Sequence, residues 1–125
     1  MDRTPILNMA DAVRRICELI PGASAVVSAH RASLSEFGSA PEPESGVAPY
    51  SFFSEIREFV FSDAEGRDER VAGLFEFLEE SLDSPNQMVR EGSMIRIAQK
   101  LFRYEDVIAA SGATPGPRLR EVMDY

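Results

Sequence analysis

The sequence predicts an all-α protein, an irregular bundle of about six or seven short helices or a set of stacked helical hairpins. Apolar residues recur at three- and four-residue spacing along most of the 125 residues, which is the period of an amphipathic helix. Apolar and charged residues make up 44% and 27% of the chain, values typical of a folded domain. The β-friendly pairs Val26-Val27 and Val107-Ile108 are too short for strands. We therefore expect one all-helical domain over residues 1–125.

The first half of the chain predicts three helices and one loop. Asn8 is a favourable N-cap, and the apolar period that follows it stops at Pro21-Gly22. A second apolar stripe runs over residues 24–37. Residues 38–49 contain three prolines and two glycines, so we expect an exposed Pro/Glu-rich loop that folding does not need. The third helix has the most aromatic apolar face of the chain, formed by Phe52, Phe53, Ile56, Phe59 and Val60.

The second half predicts further short helices. Residues 68–82 place apolar side chains on one side of a helix and acids on the other. The serine–proline pair at Pro85 is typical of a helix start, and we expect that helix to kink near Gly92. A short helix then stops at Gly112, and Pro117 opens the last one.

The negative charge of the chain is concentrated in one stretch. Ten acidic residues and three arginines lie between Ser54 and Asp83, so this stretch carries seven of the eight net negative charges. On a helical wheel, seven acids from this stretch share one side: Glu65, Asp68, Glu69, Glu76, Glu79, Glu80 and Asp83. Like charges at this spacing repel one another. Two interpretations remain open, a docking surface for a basic protein or a solvated face that only keeps the protein soluble.

A docking surface also needs anchors, because charge mainly speeds association while desolvated aromatic side chains supply affinity. Phe61 and Phe77 lie off the apolar stripes of their helices, and Tyr50 stands at a helix start. We predict these three as exposed anchors. Nucleic acid is excluded as a partner because the charge of the surface has the wrong sign.

The residue inventory argues against an enzyme. The chain has one histidine, His30, and one cysteine, Cys17, and neither has the sequence context of a nucleophile or a metal ligand. We therefore expect no catalytic residue, no cofactor and no metal site. Both side chains lie on apolar stripes, so we predict a packed or interfacial His30 and a buried Cys17.

The same inventory indicates the compartment. The apolar runs are far too short for a membrane span, the first residues do not resemble a secretion signal, and a lone cysteine fits a reducing environment. We expect a cytoplasmic protein. Twelve arginines against one lysine, Lys100, are typical of a GC-rich bacterial genome.

A little over half of the chain resembles a bacterial family of small acidic helical domains of unknown function, some of whose members sit beside polymorphic-toxin genes. The resemblance rests on four segments: Phe52-Phe-Ser-Glu-Ile-Arg-Glu-Phe-Val60, Val71-x-x-Leu-Phe-x-Phe-Leu-Glu79, Val89-Arg-Glu and Gly116-Pro-Arg-Leu-Arg-Glu-Val122. It implies a non-catalytic helical protein of the immunity type, which neutralises a cognate toxin. It supplies no catalytic residues.

The sequence thus predicts a non-catalytic protein-binding module whose partner is a basic protein. Two alternatives stay open. One is a helical bundle that binds a small ligand in a pocket around His30. The other is a structural subunit that forms a homodimer through the aromatic face of residues 52–60.

Overall fold

The computed structural model describes residues 5–37, 41, 43–63 and 65–123, and these residues contain seven α-helices, one 3₁₀ helix and no strand. The elements in chain order are α1 (Met9–Leu19), α2 (Ala23–Phe37), α3 (Pro49–Val60), α4 (Arg67–Ser81), α5 (Gln87–Arg96), the 3₁₀ helix (Ala98–Tyr104), α6 (Glu105–Ser111) and α7 (Pro117–Met123). The prediction of an all-α bundle is confirmed.

Several helix ends follow directly from local sequence. Asn8 caps α1, since its side-chain Oδ1 accepts the backbone N–H of Asp11 at 2.8 Å. The helix ends before Pro21-Gly22, where Gly22 has a φ of 84° that favours glycine. At the other end of the chain, Gly112 ends α6 with a φ of 75°. These boundaries agree with the sequence predictions.

Helix α4 lies at the centre of the bundle and contacts α1, α3, α5, α6 and α7. Because it is surrounded, its buried residues cover more than one side of the helix: Arg70, Val71, Gly73, Leu74, Phe75, Phe77, Leu78 and Ser81. The crossing with α1 is especially close. A Cβ atom at Gly73 would lie 2.1 Å from the carbonyl oxygen of Leu19, so no side chain fits there. A helix in this position keeps only a narrow strip of its surface for solvent.

Helix α5 differs from its prediction at both ends. It begins at Gln87, two residues after Pro85, because Asn86 rather than Ser84 is its N-cap and accepts the N–H of Val89 at 3.1 Å. The hydroxyl of Ser84 is engaged elsewhere and donates to the carbonyl of Ile6 at 2.6 Å. The predicted helix start at Ser84-Pro85 is therefore wrong by two residues.

The predicted kink near Gly92 is also wrong. Helix α5 runs unbroken through Gly92, and the chain changes at Ile97 to the tighter 3₁₀ helix. The glycine serves packing instead, since a Cβ atom there would lie 2.8 Å from the ring of Phe53. It lets α3 and α5 approach closely.

The loop over residues 38–49 is not uniformly exposed. Residues 38–40 and 42 lie outside the described residues. Of the rest, Val47 is fully buried and Ser45 is 4% exposed, while Pro49 already belongs to α3. The carbonyl of Ser45 accepts a hydrogen bond from Arg31 at 2.6 Å. The expectation of an exposed loop is wrong for its last part, which packs on α2.

The largest fully buried side chains come from α1, α3, α4, the 3₁₀ helix and the segments beside them, and they form one hydrophobic cluster. They are Phe52, Phe53, Phe77, Ile6, Met9, Ile16, Ile20, Ile56, Leu74, Leu78, Ile97 and Leu101. Among the described residues, no helix has the length and apolar character that crossing a membrane requires.

Candidate functional site

Three of the predicted acids stand together at the start of α4. We call Glu65, Asp68 and Glu69 the first acidic group. All three are exposed, and none makes an ion pair or side-chain hydrogen bond within the described residues. Asp68 and Glu69 lie in the first turn of the helix, where carboxylates suit the helix dipole. This group fits the sequence prediction of an unpaired acidic surface.

A buried arginine stabilises the turn that precedes α4 and carries the first acidic group. Arg70 is 3% exposed, and its guanidinium donates to the backbone carbonyls of Glu65 at 2.7 Å, Ser62 at 2.8 Å and Val60 at 3.3 Å. It also lies over the ring of Phe59, 5.1 Å from the centroid. Because this arginine turns inward to the backbone of the α3–α4 turn, the carboxylates beside it remain facing solvent on a fixed backbone.

The surface around the first acidic group forms a shallow depression of about 200 Å³. It is lined by Asp63, Gly66, Arg67, Asp68 and Glu69. Gly66 is the N-cap of α4 and has a φ of 81°, and no side chain forms a capping hydrogen bond at this helix start. The only ion pair here is the 3.6 Å contact of Arg67 with the fully exposed Asp63, among the residues that the structure describes. The lining of the depression therefore has a net negative charge.

The remaining four acids, Glu76, Glu79, Glu80 and Asp83, form the second acidic group, and each faces an arginine of another helix. Glu80 receives two hydrogen bonds of 2.8 Å from the guanidinium of Arg15 on α1. Its side chain is only 6% exposed. This pairing raises the pKa of Arg15 above its ordinary value, and Glu76 lies 3.9 Å from the same guanidinium. The pair ties α1 to α4.

Glu79 joins α4 to the last helix. Its two carboxylate oxygens accept the backbone N–H groups of Arg118 at 2.9 Å and Leu119 at 3.1 Å, the first free donors of α7. The guanidinium of Arg118 also lies 3.7 Å from Glu79 and 3.0 Å from Asp83. The prediction of one continuous solvated acidic face is therefore wrong for Glu79 and Glu80, which hold the fold together.

Two of the three predicted anchors are buried. Phe77 is 0% exposed because α4 is packed on that side as well. Phe61 is 8% exposed, and its ring stacks on Tyr104 with centroids 4.1 Å apart. Tyr50 alone stays at the surface, 37% exposed with Arg96 over its ring. The expectation that Phe61 and Phe77 are exposed anchors is wrong.

The aromatic face of α3 is equally buried. Phe52, Phe53, Ile56 and Val60 are all 0% exposed, and the rings of Phe53 and Phe77 lie 6.2 Å apart inside the core. These four side chains are already covered by the protein itself, so they are not exposed for contact with a second copy.

His30 is a structural residue at the junction of α2, α3 and the preceding loop. It is 1% exposed, which agrees with the prediction of a packed histidine. Its Nε2 accepts the N–H of Ala48 at 3.1 Å, so the proton sits on Nδ1 and is donated to Glu55 at 2.8 Å. Both ring nitrogens are occupied, and neither is available to a ligand.

Cys17 is exposed rather than buried, so the prediction for this residue is wrong. It lies at the edge of the buried side of α1, four positions after the buried Val13. Partial burial nevertheless raises the pKa of its thiol, which disfavours the reactive thiolate. Within the described residues, no three histidine, cysteine or acidic side chains come together as a metal site.

The sequence could not have revealed the arginines that form ion pairs with the second acidic group. Arg15 and Arg118 lie outside the acidic stretch, and only the crossing of α1 and α7 with α4 brings them close to these acids.

We compared the chain with known protein families, with curated proteins and with solved structures, and none of them matches it significantly.

Proposed function

We propose that this protein is a non-catalytic binding module of the bacterial cytoplasm and that the first acidic group is its contact for a basic protein. The observation that carries the proposal is the contrast in pairing along α4. Glu65, Asp68 and Glu69 face solvent without a cation, while every acid of the second group faces an arginine. The part of the chain that the structure describes therefore leaves these carboxylates without a cation.

Electrostatics supports this choice of partner. The three carboxylates lie close together in the sequence, and a cationic partner would offset the negative field that they create. The hydrogen bonds from Arg70 fix the backbone of the α3–α4 turn before a partner binds. Less conformational entropy is therefore lost on association. A surface of this kind mainly raises the association rate and selects partners of opposite charge.

The resemblance to toxin-associated helical domains narrows the proposed partner to a basic toxin, with this protein as its immunity-type inhibitor. Inhibition of that type needs no catalytic group in the inhibitor. It needs rapid, charge-guided binding that covers a functional surface of the toxin.

The proposal is tested by charge reversal with a matched control. The partner is first isolated from a lysate of the native host on the immobilised protein, then purified, and its association rate is measured by stopped-flow fluorescence. We expect D68K/E69K to slow association at least about tenfold at low salt, since charge steering alone changes such rates by 10 to 1000.

The control is E44K/E121K, which changes the net charge equally at two exposed acids away from the start of α4. We expect it to slow association far less, and we expect the wild-type rate to fall as salt rises towards about 0.5 M. Equal slowing by both double variants, or a rate that salt does not change, would refute the first acidic group as the contact.

A further inference from the structure

A second surface, separate from the charges of α4, surrounds Phe102 in the 3₁₀ helix. Phe102 is 67% exposed, the largest value among the exposed large hydrophobic residues of the described chain. A single exposed apolar residue is ordinary. Here, however, the ring stands beside a groove of about 260 Å³ whose lining is mostly apolar: Ala98, Gln99, Leu101, Phe102, Glu105, Val122 and Met123.

The tight 3₁₀ winding explains this arrangement. With three residues per turn, side chains three positions apart lie one above the other. Ala98 and Leu101 therefore both point into the core, where they are 2% and 1% exposed. Phe102, the next residue of the 3₁₀ helix, and Glu105, the first residue of α6, line the groove beside this buried face. Helix α7 packs against the 3₁₀ helix and supplies the opposite wall.

We propose that this surface is a self-association site and that its occupant is a second copy of the chain. A two-fold axis brings the same patch of both copies together, so each residue of one copy meets its complement in the other. A protruding ring next to an apolar groove satisfies that requirement. The Phe102 ring of each copy enters the groove of the other copy, and the two rings pack against each other.

The charges of the patch also complement themselves. The guanidinium of Arg103 lies over the Phe102 ring, 5.8 Å from its centroid, while Glu105 is an exposed acid that lines the groove. When the ring enters the partner's groove, Arg103 comes towards Glu105 of the other copy, twice in each dimer. The patch therefore holds both halves of an ion pair, unlike the wholly acidic surface proposed for the basic protein. The groove is also smaller than the 300 Å³ or more that small-molecule pockets usually offer.

The mass of the purified protein in solution tests this inference, by light scattering after gel filtration and by sedimentation equilibrium from about 10 µM to 1 mM. We expect the mass to rise with concentration from 13.8 kDa towards twice that value. F102D should lower the association constant at least about thirtyfold, as the loss of a central aromatic anchor does. L7D is the matched control, because Leu7 is a leucine that is 54% exposed outside the groove, and it should associate like the wild type.

A mixing experiment tests the two-fold geometry itself. R103E places two acids opposite each other in its own dimer, and E105R places two cations opposite each other, so each variant alone should be mainly monomeric. In an equimolar mixture, every contact joins an acid to a base, and the mixture should regain the wild-type association constant within a few-fold. Thermal melts of all variants check that each one is folded.

Three results would overturn the inference: a wild type that is monomeric at 1 mM, an L7D variant that dissociates like F102D, or a charge-variant mixture that stays monomeric. A monomeric wild type whose binding to the basic partner is lost in F102D would assign this surface to that partner instead. Because none of these variants changes the first acidic group, self-association can fail while the proposed binding function stands.

Discussion

The two acidic groups of α4 have the same chemistry and opposite roles. Glu65, Asp68 and Glu69 are exposed and have no ion-pair partner within the described residues. Glu79 and Glu80 are 15% and 6% exposed at their side chains and join α4 to α7 and α1. A carboxylate that faces solvent costs little to leave unpaired, whereas one that is mostly buried must be paired. The number of acids on a helix therefore says little about its surface until the neighbours of each acid are known.

The largest effect expected from this comparison is at Glu80. E80A should lower the free energy of unfolding by about 2 kcal/mol, because it leaves the half-buried guanidinium of Arg15 without its two short hydrogen bonds. Urea denaturation of E80A, R15A and the double variant forms a mutant cycle that isolates the pair. A loss below about 0.5 kcal/mol, the range of ordinary surface pairs, would contradict the structural role of Glu80.

A smaller effect is expected at Glu79. E79A removes the carboxylate that caps α7, and caps are worth about 1 kcal/mol. Hydrogen exchange should show the effect locally, with faster exchange of the amides of α7. D83A is the matched control, because Asp83 also faces Arg118 but accepts no helix N–H and is 64% exposed. If D83A loosened α7 as much as E79A does, the ion pair with Arg118 rather than the cap would hold the helix.

The smallest effect is expected in the first acidic group. D68N/E69Q should change the free energy of unfolding by no more than about 0.5 kcal/mol, because both side chains are exposed and substitutions at exposed positions usually have effects within that range. The same urea measurement checks it. A loss as large as that of E80A would mean that these acids also serve the fold and would remove the reason to assign them to a partner.

The sequence predicted the parts of the structure that depend on neighbouring residues. The cap at Asn8, the stop at Gly112 and the start at Pro117 each need only a few adjacent positions, and all three are confirmed. Contacts between distant parts of the chain could not be predicted from the sequence. Arg15 and Glu80 are 65 positions apart, and no local sequence pattern predicts that they form an ion pair.

The buried aromatic residues show the second reason for error. The prediction of exposed aromatic anchors assumed that each helix has one buried apolar stripe and one solvent-exposed face. That assumption fails for α4, which is covered by five other helices, so Phe77 is buried although it lies off the stripe. Phe61 is covered by Tyr104, which follows 43 positions later and reaches it only through the path of the 3₁₀ helix.

The close crossing at Gly73 has a consequence for tracing the ancestry of this protein. Any β-carbon at that position would collide with the carbonyl oxygen of Leu19, and backbone cannot yield as a flexible side chain can. A diverged sequence can exchange most surface residues and many core residues of similar volume. It cannot exchange this glycine and keep the same crossing of α1 and α4. A relative that keeps this crossing of α1 and α4 is therefore expected to keep a glycine at this position, even where its other residues have changed.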